Sequence, residues 1–409
     1  MRILLVTKGT YGDFAPFLAI GAALHRQGHD AILASHAHYA PLAKRAGVPF
    51  APMDTEDEYR AFIGDLDFLL HPAGLHQFAR KHVFPRLQDE LQLIETFLTP
   101  DTLLFVRHMG GFAARLAAER AGTPLGCVFT APSQAESFPL STAFEQHVLG
   151  EEFNEQRGIA GLPAIANWET WHAGPQRFFG CWPAWFAQPS ARWPQPFTNL
   201  GFAYDDRVET GPLDANLRAL LRERPVLITA GTGFWQHGRK FYAAATEACL
   251  AANMPALLIC PHDEMLPRDP GKGIHWFGEL LPLGSVLPQV SLVIHHGGAG
   301  TSAHAMRNGV PQVILAAGGD RPDNARRIEQ LRIGVWLPLP RWQPGAIQEA
   351  IHGMLSSSET ARACARIRQL METDGLADGL QAIHEMCRGE NTGKRVDIID
   401  APAAIAATG

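Results

Sequence analysis

The chain has 409 residues, 46% of them hydrophobic and 19% charged, with a formal net charge of −6. That length supports two domains with separate cores, and an acidic balance without a long basic run argues against nucleic acid as a partner. Six widely spaced cysteines with no CxxC pair read as reduced thiols of a cytoplasmic protein; the first apolar run is too short for a signal peptide, and none reaches the roughly 18 residues of a membrane helix.

Residues 2–7 form the first predicted strand. Lys8-Gly9-Thr10-Tyr11-Gly12-Asp13 is a turn, and 14–27 a helix with Phe17, Leu18, Ile20, Ala22 and Leu24 on its apolar face and Gly28 at its end. Residues 30–34 return as a strand, so the unit is a parallel, right-handed crossover. The pattern continues with a helix near 39–46, a short strand at 49–52, a strand at 102–106, a helix at 110–121 and a strand at 125–129. Residues 55–100 read as mixed helix rich in Phe, Leu and His, and 133–180 as irregular and aromatic. The proline-dense segment 182–212 reads as a linker.

A second alternating series begins with a strand at 226–229, the turn Ala230-Gly231-Thr232-Gly233 and a helix over about 238–253. Strands at 256–260, 273–277 and 292–294 follow. A helix at 301–308 is stopped by Gly309-Val310-Pro311, and 312–315 is the next strand. Helices at 347–355, 360–372 and 378–387 complete the series. The expected organisation is an amino-terminal domain at 1–200, the end of the linker at 201–212 and a carboxyl-terminal domain at 213–388, whose last helix can return to the first domain. A disordered tail is expected at 389–409. Two alternating series imply two doubly wound α/β domains, which bind ligands at the carboxyl ends of their strands and in the cleft between them.

The turn His295-His296-Gly297-Gly298-Ala299-Gly300-Thr301 stands between a strand and a helix. Its backbone N–H groups lie at the positive end of a helix dipole, which makes it an anion site. It reads as a diphosphate site, with Asp320 and its neighbours, one strand later, reading what the diphosphate carries. Adjacent histidines point in different directions and no carboxylate motif accompanies them, so a metal is not expected here.

That turn, with the following Gly309-Val310-Pro311-Gln312 and Gly319-Asp320-Arg321-Pro322-Asp323-Asn324, resembles the donor-binding region of family 1 glycosyltransferases. Gly9-Thr10-Tyr11-Gly12-Asp13-Phe14-Ala15-Pro16 looks like the acceptor-side loop of the bacterial branch. The linker residues Trp182-Pro183-Ala184-Trp185-Phe186-Ala187 and Trp193-Pro194-Gln195-Pro196, with Trp171-His172 and Pro282-Leu283-Gly284, are similar to those of the rhamnosyltransferases of rhamnolipid synthesis. The resemblance implies the GT-B fold, two Rossmann-like domains facing across a cleft. It also implies inverting transfer of a sugar from a UDP- or dTDP-type donor to an acceptor hydroxyl, without metal or cofactor.

By that resemblance Asp13 is the general base, although as a residue it reads equally as a helix cap. His108 ends a neighbouring strand, as a partner for Asp13 or a residue lining the acceptor site. His295 contacts the diphosphate, with His296 behind it; Gly298 and Ala299 keep the approach open, and Gly300 and Thr301 supply N–H groups. Gly231 and Thr232 form a second phosphate turn, and Leu281 and Leu283 hold the nucleobase. Asp320 binds sugar hydroxyls. Arg321 replaces the glutamine of most relatives; arginine only donates and is always charged, which suits an acidic sugar or a local ion pair. Phe78, Phe138, Trp168 and Trp171 are candidates for an apolar acceptor wall and equally for core. The expected partners are a nucleotide sugar and a hydrophobic hydroxyl acceptor, with peripheral membrane contact allowed and a monomer or homodimer as the assembly. A nucleotide-sugar epimerase of the same architecture and a non-catalytic partner of a glycosyltransferase are the alternatives.

Overall fold

The computed structural model describes residues 1–71, 73–232, 237–373 and 376–388, the side chains at 70, 377 and 378 excepted. Gly233 of the second glycine turn and the predicted tail from 389 lie outside the described residues.

Two sheets form, one per domain. The first contains β1 (Arg2–Val6), β2 (Asp30–Ser35), β3 (Phe50–Pro52), β4 (Thr102–Arg107), β5 (Leu125–Phe129), β6 (Arg177–Gly180) and β7 (Phe197–Asn199), in the order β3-β2-β1-β4-β5-β6-β7. The second contains β8 (Val226–Thr229), β9 (Ala256–Ile259), β10 (Ile274–Phe277), β11 (Leu292–His295), β12 (Gln312–Ile314) and β13 (Gly334–Trp336), in the order β10-β9-β8-β11-β12-β13. Every neighbouring pair is parallel. Strands covered on both faces are apolar without alternation, and Ile3, Leu4, Leu5, Val226, Leu227 and Ile228 are all fully buried.

In each sheet the chain leaves the central strand in one direction and later resumes on its other side. The reversal falls between β1 and β4 in the first sheet and between β8 and β11 in the second. Loops diverge at such a point and open a crevice at the carboxyl ends of the strands. The strand ends, loops and first helical turns at these two crevices carry Asp13, Arg107, Gly231 and the turn after His295.

The stretch 133–212 is more regular than its composition suggests. It was expected to begin with irregular chain, but contains the 22-residue helix Phe138–Ile159. The buried positions of this helix, Phe138, Thr142, Glu145, Leu149, Phe153 and Arg157, recur every three or four residues. Thr142, Glu145 and Arg157 interrupt the apolar stripe, which is why hydrophobic periodicity misses it. Arg157 is satisfied by two bonds to Glu119, both 2.7 Å. Glu145 lies 3.3 Å from His172; burial pushes the Glu145 carboxyl up to about 7 and the His172 imidazole down to about 3.

The same stretch supplies β6 and β7. The tryptophans of the expected linker form core: Trp182 and Trp193 meet at 5.5 Å, and Trp193 and Phe197 at 4.7 Å. These rings share one buried cluster with Ala303, Met306, Ile328 and Ile367 of the second domain, so they pack the two domains together. The last helix, Leu376–Cys387, places Leu380 and Ile383 against Phe17, Leu24 and Leu200 of the first domain. Among the described residues no helix is long and apolar enough to cross a membrane.

Candidate active site

A cavity of about 700 Å³ lies between the carboxyl ends of the two sheets. Its first-domain wall includes Thr10, Tyr11, Gly12, Asp13, Ala15 and Pro16, together with Leu42, Leu66 and Leu69. Its second-domain wall includes Gly231, Thr232, Leu281, Leu283, His296, Gly298, Ala299, Gly300, Thr301, Asp320 and Arg321. Of the predicted donor-side residues, only His295 is missing from this surface.

The two histidines exchange their expected places. His295 is the last residue of β11 and is fully buried. Its Nδ1 accepts the Gly297 N–H at 3.2 Å, which puts the ring proton on Nε2, 3.0 Å from the Gln312 side-chain oxygen. Nδ1 thus holds the turn from behind, and Nε2 ties it to β12. Successive strand residues face opposite ways, and the two rings are 6.4 Å apart at 88°, so it is His296 that faces the cavity. Its ring lies over two glycines: a Cβ on Gly231 or Gly298 would come within 2.6 or 2.5 Å of it. Burial, then the Arg321 charge, holds the His296 imidazole well below its usual range, while a hydrogen bond to the Thr229 backbone opposes this.

Burial also lowers His295, to about 4. The unfolded chain protonates this ring near pH 6.5, so between 6.5 and about 4 the unfolded state binds more protons and stability falls as pH falls. The contribution is about 3 kcal/mol, complete above pH 6.5 and lost towards pH 4. Chemical denaturation across pH 4–7 is expected to show a shallower slope for His295→Gln than for the parent; equal slopes would refute the assignment.

Gly297 has φ +90°, and a Cβ there would meet the Arg321 carbonyl at 3.0 Å and the Ala316 Cβ at 3.2 Å. Gly297→Ala is therefore expected to cost about 1–3 kcal/mol, read as a lower denaturation midpoint; an unchanged midpoint would show that the turn relaxes freely. Beyond it, the helix Ala299–Arg307 begins with its Ser302 N–H bonded to the Gly298 carbonyl at 3.1 Å. The N–H groups of Ala299, Gly300 and Thr301 precede that first bond, at the positive end of the helix dipole and on the cavity wall.

Asp320 precedes the helix Arg321–Gln330. Fully buried Asn324 donates both to Asp320 Oδ2 at 2.9 Å and to the Gly297 carbonyl at 3.0 Å, tying the acidic loop to the glycine turn. Burial raises the Asp320 carboxyl above its usual range, and the Arg321 charge opposes it. Arg321 Nη1 donates to the Ala317 carbonyl at 3.1 Å. Asp13, across the cleft, contributes to the electrostatic environment of both residues.

Asp13 lies in the first turn of the helix Tyr11–Arg26. Its Oδ2 accepts from the Thr10 N–H at 2.9 Å and the Thr10 hydroxyl at 3.1 Å, the carboxylate's half of a capping box. Gly9 makes room for this contact, since at φ +143° its Cβ would stand 2.3 Å from Asp13 Oδ2. Oδ1 accepts from Arg107 Nη1 at 2.8 Å. Asp13 therefore caps its helix and also faces the cavity.

Arg107 is the partner that sequence reading missed. The register pairs Val6 with Val106, which sets the following residue beside the turn after β1. His108 points the other way, so the suggested pairing with Asp13 is not formed. It is buried, stacked on Phe129 at 4.5 Å and beside Phe138 at 5.3 Å, with Nε2 3.5 Å from the Ser141 hydroxyl. Burial holds its imidazole well below the usual range.

The four proposed acceptor aromatics are also displaced from the site. Phe78 packs on Phe62 at 4.9 Å, and Phe138 lies in the cluster of Phe129 and Phe178. Trp168 meets Phe153 at 5.7 Å. Trp171 donates to Glu119 at 3.1 Å and carries the Arg115 guanidinium 5.3 Å from its ring. None of the four lines the cavity; rings with this much apolar area stabilise most when covered, and they cover one another. Leu42, Leu66 and Leu69 supply apolar surface on the first-domain wall instead, and Leu69 on the short helix Leu66–Leu70 is 42% exposed. That exposure is visible only in the folded chain.

Residues 3–125 match the glycosyltransferase family 28 N-terminal domain, and residues 274–378 match the erythromycin biosynthesis protein CIII-like C-terminal domain. The chain is 26% identical to O-mycaminosyltylonolide 6-deoxyallosyltransferase of Streptomyces fradiae, over 93% of this chain and 95% of the relative. It is 24% identical to a sterol 3-beta-glucosyltransferase of Pichia angusta over 82% of this chain, but spans only 30% of that longer protein. Spinosyn forosaminyltransferase superposes with a TM-score of 0.71 at 20% identity, covering 95% of this chain and 99% of the other. Spinosyn rhamnosyltransferase complexed with thymidine diphosphate superposes at 0.68 and 19%, covering 94% and 100%. Two matched domains in this order, spanning more than half the chain on two facing parallel sheets, lead to one conclusion: the chain belongs to the GT-B glycosyltransferases, with a family 28 amino-terminal domain and an erythromycin-CIII-like carboxyl-terminal domain.

Proposed function

We propose that the protein transfers a sugar from a nucleotide diphosphate to a hydroxyl of a hydrophobic small molecule or lipid, with inversion at the anomeric carbon and Asp13 as general base. The observation that carries this reading is that Asp13 and the open amino terminus of the helix Ala299–Arg307 line one cavity from opposite walls. In this reading the diphosphate rests on the N–H groups of Ala299, Gly300 and Thr301 beside the His296 ring, where fixed dipoles stabilise the leaving charge. The acceptor hydroxyl gives its proton to Asp13, and its oxygen attacks the anomeric carbon from the face opposite the diphosphate. The bond to the diphosphate breaks and its electron pair leaves with the nucleotide. Asp320 binds the sugar hydroxyls, and neither a metal nor a further cofactor takes part.

A thymidine-type donor is favoured by the names of two relatives, TDP-daunosamine transferase of Streptomyces peucetius and dTDP-epi-vancosaminyltransferase of Amycolatopsis orientalis; UDP-sugars are the second choice. Leu42, Leu66 and Leu69 on the first-domain wall suit an apolar acceptor, and the names of two relatives make sterols and tylonolide-type alcohols the acceptors to try first. The expected setting is the cytoplasm, as a monomer or homodimer. The test is mass spectrometry of products from dTDP- and UDP-sugars mixed with these alcohols. A glycoside with matching release of nucleotide diphosphate is expected. An isomerised donor without glycoside would instead support the epimerase, and an unconsumed donor panel the non-catalytic partner.

A further inference from the structure

The segment 205–211 passes between the domains and is held by both. On the first-domain side Arg26 reaches Asp205 at 2.9 Å, and Arg45 donates to the Val208 carbonyl. On the second-domain side Arg307 grips Asp206 at 2.6 and 3.0 Å, and Gly211 and Ser285 exchange two bonds of 3.0 Å. Single ion pairs with an exposed partner, such as Arg26 at 54% or Asp206 at 58%, hold little on their own.

Glu209 is different. It is 7% exposed and divides its carboxylate between the domains. The Tyr11 hydroxyl donates to Oε1 at 2.7 Å, and His304 Nε2 lies 3.2 Å from Oε2. Tyr11 opens the helix that carries Asp13, and His304 lies one turn after Thr301 in the helix that opens on the anion turn. All three side chains line the cavity. A buried carboxylate strongly resists losing either partner, so this chain favours one relative placement of the two helices.

We propose that Glu209 is a positioning residue that couples occupancy of the diphosphate turn to the alignment of the Asp13 turn, through Tyr11 and His304. The kinetic part rests on the function proposed above; the structural part does not. The test uses the full chain and the variants Glu209→Gln and Tyr11→Phe, the latter removing a single hydroxyl and so keeping the test open if the former fails to fold. Hydrogen exchange at the amides of residues 10–14 is measured with and without saturating dTDP or UDP. In the parent, nucleotide is expected to slow exchange there. In both variants that protection is expected to disappear while nucleotide still binds. In turnover, kcat is expected to fall about tenfold with the donor KM within about threefold, and the double variant is expected to be no slower than the slower single one.

Retained protection with parental kcat would overturn the proposal. So would a loss of kcat that tracks a fall in melting temperature or in nucleotide affinity, because that is what a purely structural role predicts. If the parent turns over no donor, the functional reading fails, and the exchange data still decide the coupling.

Discussion

Asp13→Ala is expected to lower kcat by about 10²- to 10⁴-fold, the usual contribution of a general base, while affinity for dTDP or UDP stays within about threefold of the parent. Asp13 has two other duties that the alanine variant also removes. It closes a capping box with Thr10, a contact worth about 1 kcal/mol, and it pairs with Arg107 at 2.8 Å, where Arg107 is only 15% exposed. The alanine variant is therefore expected to melt at a lower temperature. Asp13→Asn separates the base from the cap, because an amide oxygen can still accept from Thr10 but cannot take up the acceptor's proton at neutral pH, while the Arg107 pair is lost in both variants. Stability above that of the alanine variant with the full loss of kcat identifies the base; an active asparagine variant leaves Asp13 with its structural contacts alone. Initial rates, calorimetric nucleotide binding and thermal melts on both variants provide these readings.

The second large effect separates the adjacent histidines. His296→Ala is expected to weaken dTDP or UDP binding by about 1.5 kcal/mol, roughly tenfold, with little change in stability. The unliganded His296 ring is held well below its usual pKa by burial and by Arg321. Diphosphate brought against it favours the protonated ring, so binding by the parent should take up protons, measurable by calorimetry in two buffers of different ionisation enthalpy, and binding by the variant should take up fewer. His295→Ala is expected to do the reverse. It leaves the Gln312 side-chain oxygen and the Gly297 N–H without the partners they have at 3.0 and 3.2 Å, a cost of about 1–3 kcal/mol for each buried group. It destabilises the fold and affects nucleotide binding mainly through the turn. A stable His295→Ala protein that has lost nucleotide affinity, beside a His296→Ala protein that binds as the parent does, would return the diphosphate contact to His295.

These cases show where the sequence was readable. The apolar runs that became β1, β8 and β11 could be placed because strands buried on both faces need continuous apolar residues, and the glycine turns after β8 and β11 because only glycine suits positions such as Gly297. The helix Phe138–Ile159 was not readable, because Glu145 and Arg157 stand in its buried stripe with their opposite charges elsewhere in the chain, at Arg115 and Glu119. β6 and β7 lie among prolines and aromatics that suggested a linker, and their order appears only when the tryptophans pack against the second domain.

The sequence alone thus determined the α/β class, the two-domain plan, the glycine turns and most of the residues on the second-domain wall of the cavity, because these rest on local periodicity and backbone requirements that neighbouring residues carry. Only the tertiary structure decided between adjacent side chains: His296 rather than His295 lines the cavity, and Arg107 rather than His108 pairs with Asp13. It likewise drew Phe78, Phe138 and Trp168 into the core with half-buried Trp171 against it, and set Glu209 between Tyr11 and His304. The reason is geometric. Composition does not record the half-turn of a strand that sends neighbours to opposite faces, nor which distant group is waiting there to satisfy them.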